Sequence, residues 1–224
     1  MIVRETLSDQ IYFELRKAIL SREIPLGSKI VNRQLQERFN VSSSPIRDAV
    51  NRLYQDELIS KVTNAGASVI ELEYQTASEI NEIIKYIVMT GVEISFEKGN
   101  RDSIVRDLKE LIKLQEKEID NELYYNYDYD FHKTFIDNSN NRYLKKLYKQ
   151  YHALNELLVR SFHSDLRKDL RKSSFETHIK IVEAYEKGQL DTALSLTKGH
   201  YDIADDMFRL VFEEKENAII AIDE

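Results

Sequence analysis

The stretch NVSSSPIRDAVNRLYQDEL, residues 40–58, and the segment ISKVTNAGASVIEL after it, residues 59–72, decide how the first third of the chain is read. Serines 42–44 are cap-type residues and Pro45 is tolerated only in a first turn, so a helix begins here. Along it Ile46, Ala49, Val50 and Leu53 fall within roughly a 100° arc. Ser44, Arg47, Asp48 and Asn51 point the other way. The following residues alternate as two short strands joined by a turn at Asn64-Ala65-Gly66. Upstream, TLSDQIYFELRKAILS has apolar residues at Leu7, Ile11, Leu15, Ala18 and Ile19, with Thr6 as N-cap. REIPLGSKI breaks that helix at Pro25 and Gly27, and NRQLQERF is a short helix expected to bury Leu35 and Phe39. Three short helices and a hairpin make a winged helix-turn-helix, its third helix suited to a major groove. A face of hydroxyls, an arginine and an amide can serve base edges and phosphates. The plain alternative is a small helical bundle whose polar face is solvated.

The 224 residues are enough for two ordinary domains. With 42% hydrophobic and 32% charged residues, 6 Gly and 2 Pro, the chain is globular and rich in helix formers. It has no cysteine, which excludes disulfides and thiolate metal sites. The start, MIVRETLSDQ, lacks the apolar core of a signal peptide, and the apolar run IIKYIVM is interrupted by a lysine and too short to span a bilayer. A cytoplasmic protein with no membrane partner is expected. Residues 1–71 carry 10 Lys+Arg against 9 Asp+Glu, and the rest 22 against 30, so a net +1 segment precedes a −8 one. That asymmetry suits a nucleic-acid module joined to an acidic one.

Residues 31–69, VNRQLQERFNVSSSPIRDAVNRLYQDELISKVTNAGASV, resemble the DNA-binding domain of the GntR family of bacterial transcription regulators, the match extending over nearly all of residues 5–70. The core VS-x-[ST]-P-[VI]-R-[DE]-A and the wing glycine are both kept. The resemblance implies that Arg33, Ser42, Ser44 and Arg47 contact DNA, with Gly66 letting the wing tip approach the backbone. Ser43 stands where the family usually has a guanine-reading arginine. Losing such a bidentate contact forfeits about 1–3 kcal/mol of discrimination, so the operator is expected to differ from the family's usual one.

In the acidic remainder, Thr76 and Glu79 form a capping-box pattern before an apolar run. The organisation expected is therefore a DNA-binding domain at 1–71, a linker at 72–76 and a helical domain at 77–224. Six helices are read at about 77–98, 102–120, 122–137, 141–162, 173–187 and 189–215, with no strand pattern, which makes an all-helical antiparallel bundle. Asp128 and His132 are four apart and share a helix face. Of five histidines, His178 lies 10 residues before Gly188 and His200 lies 12 after it. Residues nearly equidistant from a tight turn come level across an antiparallel helix pair. Three neutral imidazoles and a carboxylate could thus converge and hold a divalent ion such as zinc, nickel or manganese. The alternative is that these are half-buried or surface histidines with no common site.

The segments DYDFHKTFIDNSNNRYL and THIKIVEAYEKGQLDTALSLTKGHY resemble the FCD ligand-binding domain of the FadR-like branch of the same family, an all-helical bundle. Its pattern is D-x-x-[FL]-H, then S-G-N-x-x-L, then H-x-x-[IV] and a last histidine about twenty residues on. Here these are Asp128, Phe131 and His132, then Ser139-Asn140-Asn141 with Leu144, then His178 and His200. The resemblance implies Asp128, His132, His178 and His200 as metal ligands. Where the family commonly carries Arg-x-x-x-Glu, this chain has Tyr86 to Thr90. Tyr86, Thr90 and Asn141 are the expected effector-pocket residues, with a phenol replacing a guanidinium. His152 and His163 match nothing and are read as structural or solvated.

The function expected is a DNA-binding transcription regulator, a repressor and homodimer. It would bind a pseudo-palindromic double-stranded operator under control of a small-molecule effector, a carboxylate held at the metal. Two alternatives stand beside it. One is a metal-dependent hydrolase, which leaves residues 5–70 unexplained and shows no general base near the ligands in sequence. The other is a regulator with a purely structural metal and an acyl ligand.

Overall fold

The computed structural model describes residues 5–161 and 167–223, with side chains described for 5–159 and 171–213; His163 lies outside the described residues. The chain divides into two compact units. One holds the described residues up to Glu73 together with Ala153–Ser161, and the other holds Tyr74–His152 and the described residues after Ser161. The fold is mostly helical with one small sheet.

In the first unit α1 (Leu7–Leu20) starts at Thr6, whose hydroxyl accepts from the Asp9 amide while the Asp9 carboxylate accepts from the Thr6 amide, a closed capping box. It buries Ile11, Leu15, Ala18 and Ile19. Arg22, at φ 65, ends the turn after it. A three-residue strand β1 (Lys29–Val31) leads into α2 (Asn32–Phe39), which closes on Asn40 in the left-handed region, where asparagine is tolerated. Leu35 is buried, but Phe39 is only half-buried, contrary to the expectation for that helix. Ile46, Ala49, Val50 and Leu53 of α3 (Ser43–Gln55) are all buried. Fully burying Ile46 and Leu53 contributes about 1.5–3 kcal/mol each. Arg52 pins α3 to α1, with its guanidinium 2.6 Å from Asp9 and 4.0 Å above the Tyr12 ring.

The wing has three strands, not two. β2 (Ile59–Val62) and β1 flank β3 (Gly66–Val69), both antiparallel to it. The sequence reading missed β1 because Lys-Ile-Val is too short to show a period. Gly66 pairs with Val31, is buried, and a Cβ there would lie 2.0 Å from the carbonyl oxygen of Ile30. Its lack of a side chain therefore serves the close approach of β1, a role different from the exposed wing-tip contact expected of it. Thr63, Asn64 and Ala65 form the exposed tip.

The second unit contains α4 (Tyr74–Lys98), α5 (Arg101–Lys117), α6 (Tyr124–Asn138), most of α7 (Arg142–Ser161), α8 (Arg167–Glu186) and α9 (Leu190–Asp223). Because α4 begins at Tyr74, Thr76 lies inside its first turn and does not cap it. α4 packs on α6 and α9, α5 on α6 and α8, and α8 on α9. Their shared core includes Ile84, Val88, Val92, Ile104, Leu108, Phe131, Phe135, Ile181, Val182 and Tyr185. Turns are made by residues that accept positive φ, namely Asn140 (φ 53), in place of the glycine of the S-G-N pattern, and Gly188 (φ 74). No helix among the described residues is long and apolar enough to cross a membrane.

Gly66→Ala is expected to destabilise the first unit by about 1–3 kcal/mol, because the added methyl meets backbone and not a flexible side chain. Chemical denaturation of the full chain reads this as a lower midpoint; an unchanged midpoint would show that β1 yields without cost.

Candidate metal centre

The face of α6 that buries Phe131, Phe135 and Ile136 also carries His132, and Asp128 sits one turn earlier on the same helix. His178 comes from α8 and His200 from α9, on either side of the Gly188 turn. The structure brings the three histidines together. The ring centroids are 5.0 Å apart for His132–His178, 5.2 Å for His132–His200 and 4.9 Å for His178–His200. One nitrogen from each ring lies within 4.8 Å of the others. Asp128 Oδ1 is 3.7 Å from His178 Nε2. Phe131 stacks on His178 at 4.1 Å and Tyr201 borders His132 and His200.

His178 has no exposed surface and His132 has 4%. Burial, and then the neighbouring imidazole of His200, drives the pKa of His132 and His178 well below the usual histidine range. Burial alone lowers His200 to about 4 and raises Asp128 to about 7. Neutral His178 therefore makes no ion pair with Asp128, and 3.7 Å is too long for a hydrogen bond between them. The buried atoms His178 Nε2 and His132 Nδ1 have no hydrogen-bond partner among the described residues. Two orphaned ring nitrogens, a third neutral imidazole and a carboxylate fit a divalent cation of the zinc, nickel or manganese type. The three histidines form a cluster that could hold a metal ion.

Other expected residues fall elsewhere. Tyr86 is 53% exposed, off the stripe by which α4 buries Ile84, Ile87 and Val88, and it lies beneath the Lys85 ammonium. Thr90 donates its hydroxyl hydrogen to the Tyr86 carbonyl. Asn141 caps α7, its Oδ1 accepting from the amides of Tyr143 and Leu144. No described contact joins these three to the histidines. His152 stacks on Tyr129 at 3.6 Å, and the tyrosines of α6 are packing residues at Tyr124 and Tyr125. Sequence reasoning missed Gln115, fully buried, whose Oε1 lies 2.9 Å from His178 Nδ1. The available signal was a glutamine in register with the buried Ile104, Leu108 and half-buried Ile112 of α5.

On the first unit, Arg33, Ser42, Ser43, Ser44 and Arg47 are all exposed, as are Asp48 and Asn51. Among the described residues Arg33 makes a solvent-exposed pair with Glu37, 3.1 Å away and one turn on.

A family model described as "Bacterial regulatory proteins, gntR family" matches residues 7–69, and one described as "FCD domain" matches residues 92–202. The chain is 26% identical over 213 residues to the uncharacterised HTH-type transcriptional regulator YdhC of Bacillus subtilis, covering 93% of this chain and 94% of that protein. It is 29% identical to the gluconate operon transcriptional repressor of Bacillus licheniformis, over 65% of this chain and 60% of that one. Two solved structures share the fold. Escherichia coli McbR/YncC has TM-score 0.71 at 16% identity, covering 93% of this chain and all of that one. A GntR transcriptional regulator from Rhodococcus sp. RHA1 has TM-score 0.72 at 18% identity, covering 90% and 96%.

The pH response of the cluster has a defined sign. Near pH 6 the imidazoles are already neutral, so Asp128, raised to about 7, is the ligand that must lose a proton to meet a cation. Zinc affinity of metal-free protein should rise about tenfold per pH unit up to about pH 7 and flatten above it. Chelator competition at about pH 6 and about pH 8 measures this; a slope continuing above pH 7 would place the titrating group elsewhere.

Proposed function

The chain belongs to the GntR family of bacterial regulatory proteins and carries an FCD domain, and from that premise we propose that it is a homodimeric repressor controlled by a small carboxylate. The carboxylate binds at a divalent metal ion held by Asp128, His132, His178 and His200. The family and the relatives named above are transcription regulators, not enzymes, which removes the hydrolase alternative. The helix-turn-helix domain implies DNA as a partner, and the FCD domain implies a small-molecule effector. The gluconate operon repressors among the relatives support the repressing sign.

The observation that carries this reading is the convergence of three neutral imidazoles from three separate helices, with the Asp128 carboxylate 3.7 Å from one of them. When bound, a divalent cation on a single carboxylate keeps a net positive charge and supplies open positions for an anionic effector. The chain's own residues tie α6, α8 and α9 into one register. An effector can change operator affinity only as far as it binds one arrangement of the protein better than another. In this reading residues 1–71 bind DNA, 77–224 sense the effector, and 72–76 join them in a cytoplasmic regulator. On DNA, Arg47 reads the major groove, Ser42, Ser43, Ser44 and Arg33 contact backbone or base edges, and two-fold symmetry matches a pseudo-palindromic operator.

Two measurements test it. Arg47→Ala should weaken binding to an operator selected from random-sequence DNA by about tenfold to a hundredfold, the value of a lost bidentate base contact, while leaving metal content unchanged. Footprinting that persists at wild-type concentration refutes the recognition-helix assignment. His178→Ala and His200→Ala should each sharply lower metal content by elemental analysis, and unchanged stoichiometry in both removes them as ligands.

A further inference from the structure

We propose that Gln115 is the positioning residue of the histidine cluster: it fixes the proton of His178 on Nδ1 and so presents the Nε2 lone pair to the cation. This deepens the metal-site reading above and rests on it. Gln115 is fully buried on α5, and its amide has two polar neighbours on two other helices. On one side the Nε2 of Gln115 lies 3.1 Å from the backbone carbonyl oxygen of Tyr127, on α6. A carbonyl can only accept, so the amide nitrogen must face it. The amide oxygen is thereby turned to His178 Nδ1, on α8, at 2.9 Å. That oxygen also can only accept, so Nδ1 must carry the proton. A neutral imidazole has one such proton, which leaves Nε2 as a bare lone pair.

The remaining geometry agrees. His178 Nε2 is buried without a hydrogen-bond partner among the described residues and is the ring atom that lies 3.7 Å from Asp128 Oδ1. Two lone-pair atoms facing each other across that distance repel unless a cation, or a proton on the carboxyl, lies with them. The flipped amide would set carbonyl against carbonyl at Tyr127 and keep only a donation to an unprotonated Nδ1, so it forfeits one bond and adds a repulsion. Tyr127 immediately precedes Asp128, so one side chain ties the backbone bearing the carboxylate to the ring bearing the nitrogen. Phe131, stacked at 4.1 Å and 17°, holds the face of that ring, while Gln115 holds its edge.

The test uses the full chain and zinc alone. In metal-free wild type, long-range ¹H–¹⁵N NMR should show the His178 proton on Nδ1; a proton on Nε2 overturns the proposal without any variant being made. Gln115→Leu should keep one zinc per chain but bind it about 10- to 100-fold more weakly by chelator competition. Equal affinity overturns the proposal. Gln115→Glu retains an acceptor toward Nδ1 while it loses the donation to Tyr127 and sets an oxygen against that carbonyl, so it should still bind zinc at least about fivefold more tightly than Gln115→Leu. A glutamate no better than leucine assigns Gln115 to packing alone. A wild type that takes up no zinc, nickel or manganese overturns the metal reading itself, whereas the tautomer measurement, which needs no metal, decides separately whether Gln115 sets the proton of His178.

Discussion

A buried polar group without a partner is costly, and the second unit places several in its apolar heart. His132 and His178 are buried beside Phe131 and Tyr201, and each keeps one ring nitrogen with no hydrogen-bond partner among the described residues. The same desolvation keeps the imidazoles neutral and pushes the Asp128 carboxyl up to about 7. It therefore prepares the imidazoles to coordinate, since neutral imidazole is the coordinating form, whereas Asp128 must first give up its proton.

Apolar packing among α4, α6, α8 and α9 sets how closely the helices approach, but it tolerates small rotations of a ring. Directional bonds do not. The Gln115 amide accepts no second orientation, because a main-chain carbonyl stands on one side of it. Asn81, also buried, donates to the carbonyl of Tyr201, one residue from His200, and so holds α9 against α4 beside the third histidine. Ligand-bearing helices are thus held by amides from elements that supply no ligand, the usual way a site is made stiffer than the surrounding core.

The first unit follows the opposite logic and turns its chemistry outward. Two arginines on α3 show the division. Arg52 is held between Asp9 and the Tyr12 ring and serves the fold. Arg47, five residues earlier, is exposed beside Ser44, Asp48 and Asn51 and is free to meet another molecule. Periodicity separates the two faces of that helix, which is why its buried residues could be read from the sequence. The wing was less legible. β1 is three residues long, and the role of Gly66 depends on the Ile30 carbonyl opposite, which no local pattern reveals.

By itself the sequence determined the helix-forming segments and the winged helix-turn-helix, and its spacing singled out the residues that the resemblance implies as ligands. Each of these is written in short-range spacing: apolar residues every three or four positions, an aspartate and a histidine one turn apart, two histidines nearly equidistant from a glycine turn. The start marked by the Thr6 cap was read correctly, whereas the start of α4 at Tyr74 was placed three residues late, at 77. Only the tertiary structure decided that Tyr86 faces away from the core, that Asn141 is spent on a helix cap, and that Gln115 addresses His178. Spacing along one helix says which residues share a face but not which way that face turns. The partner of a buried amide, 63 residues away in the chain, exists only once separate helices have packed.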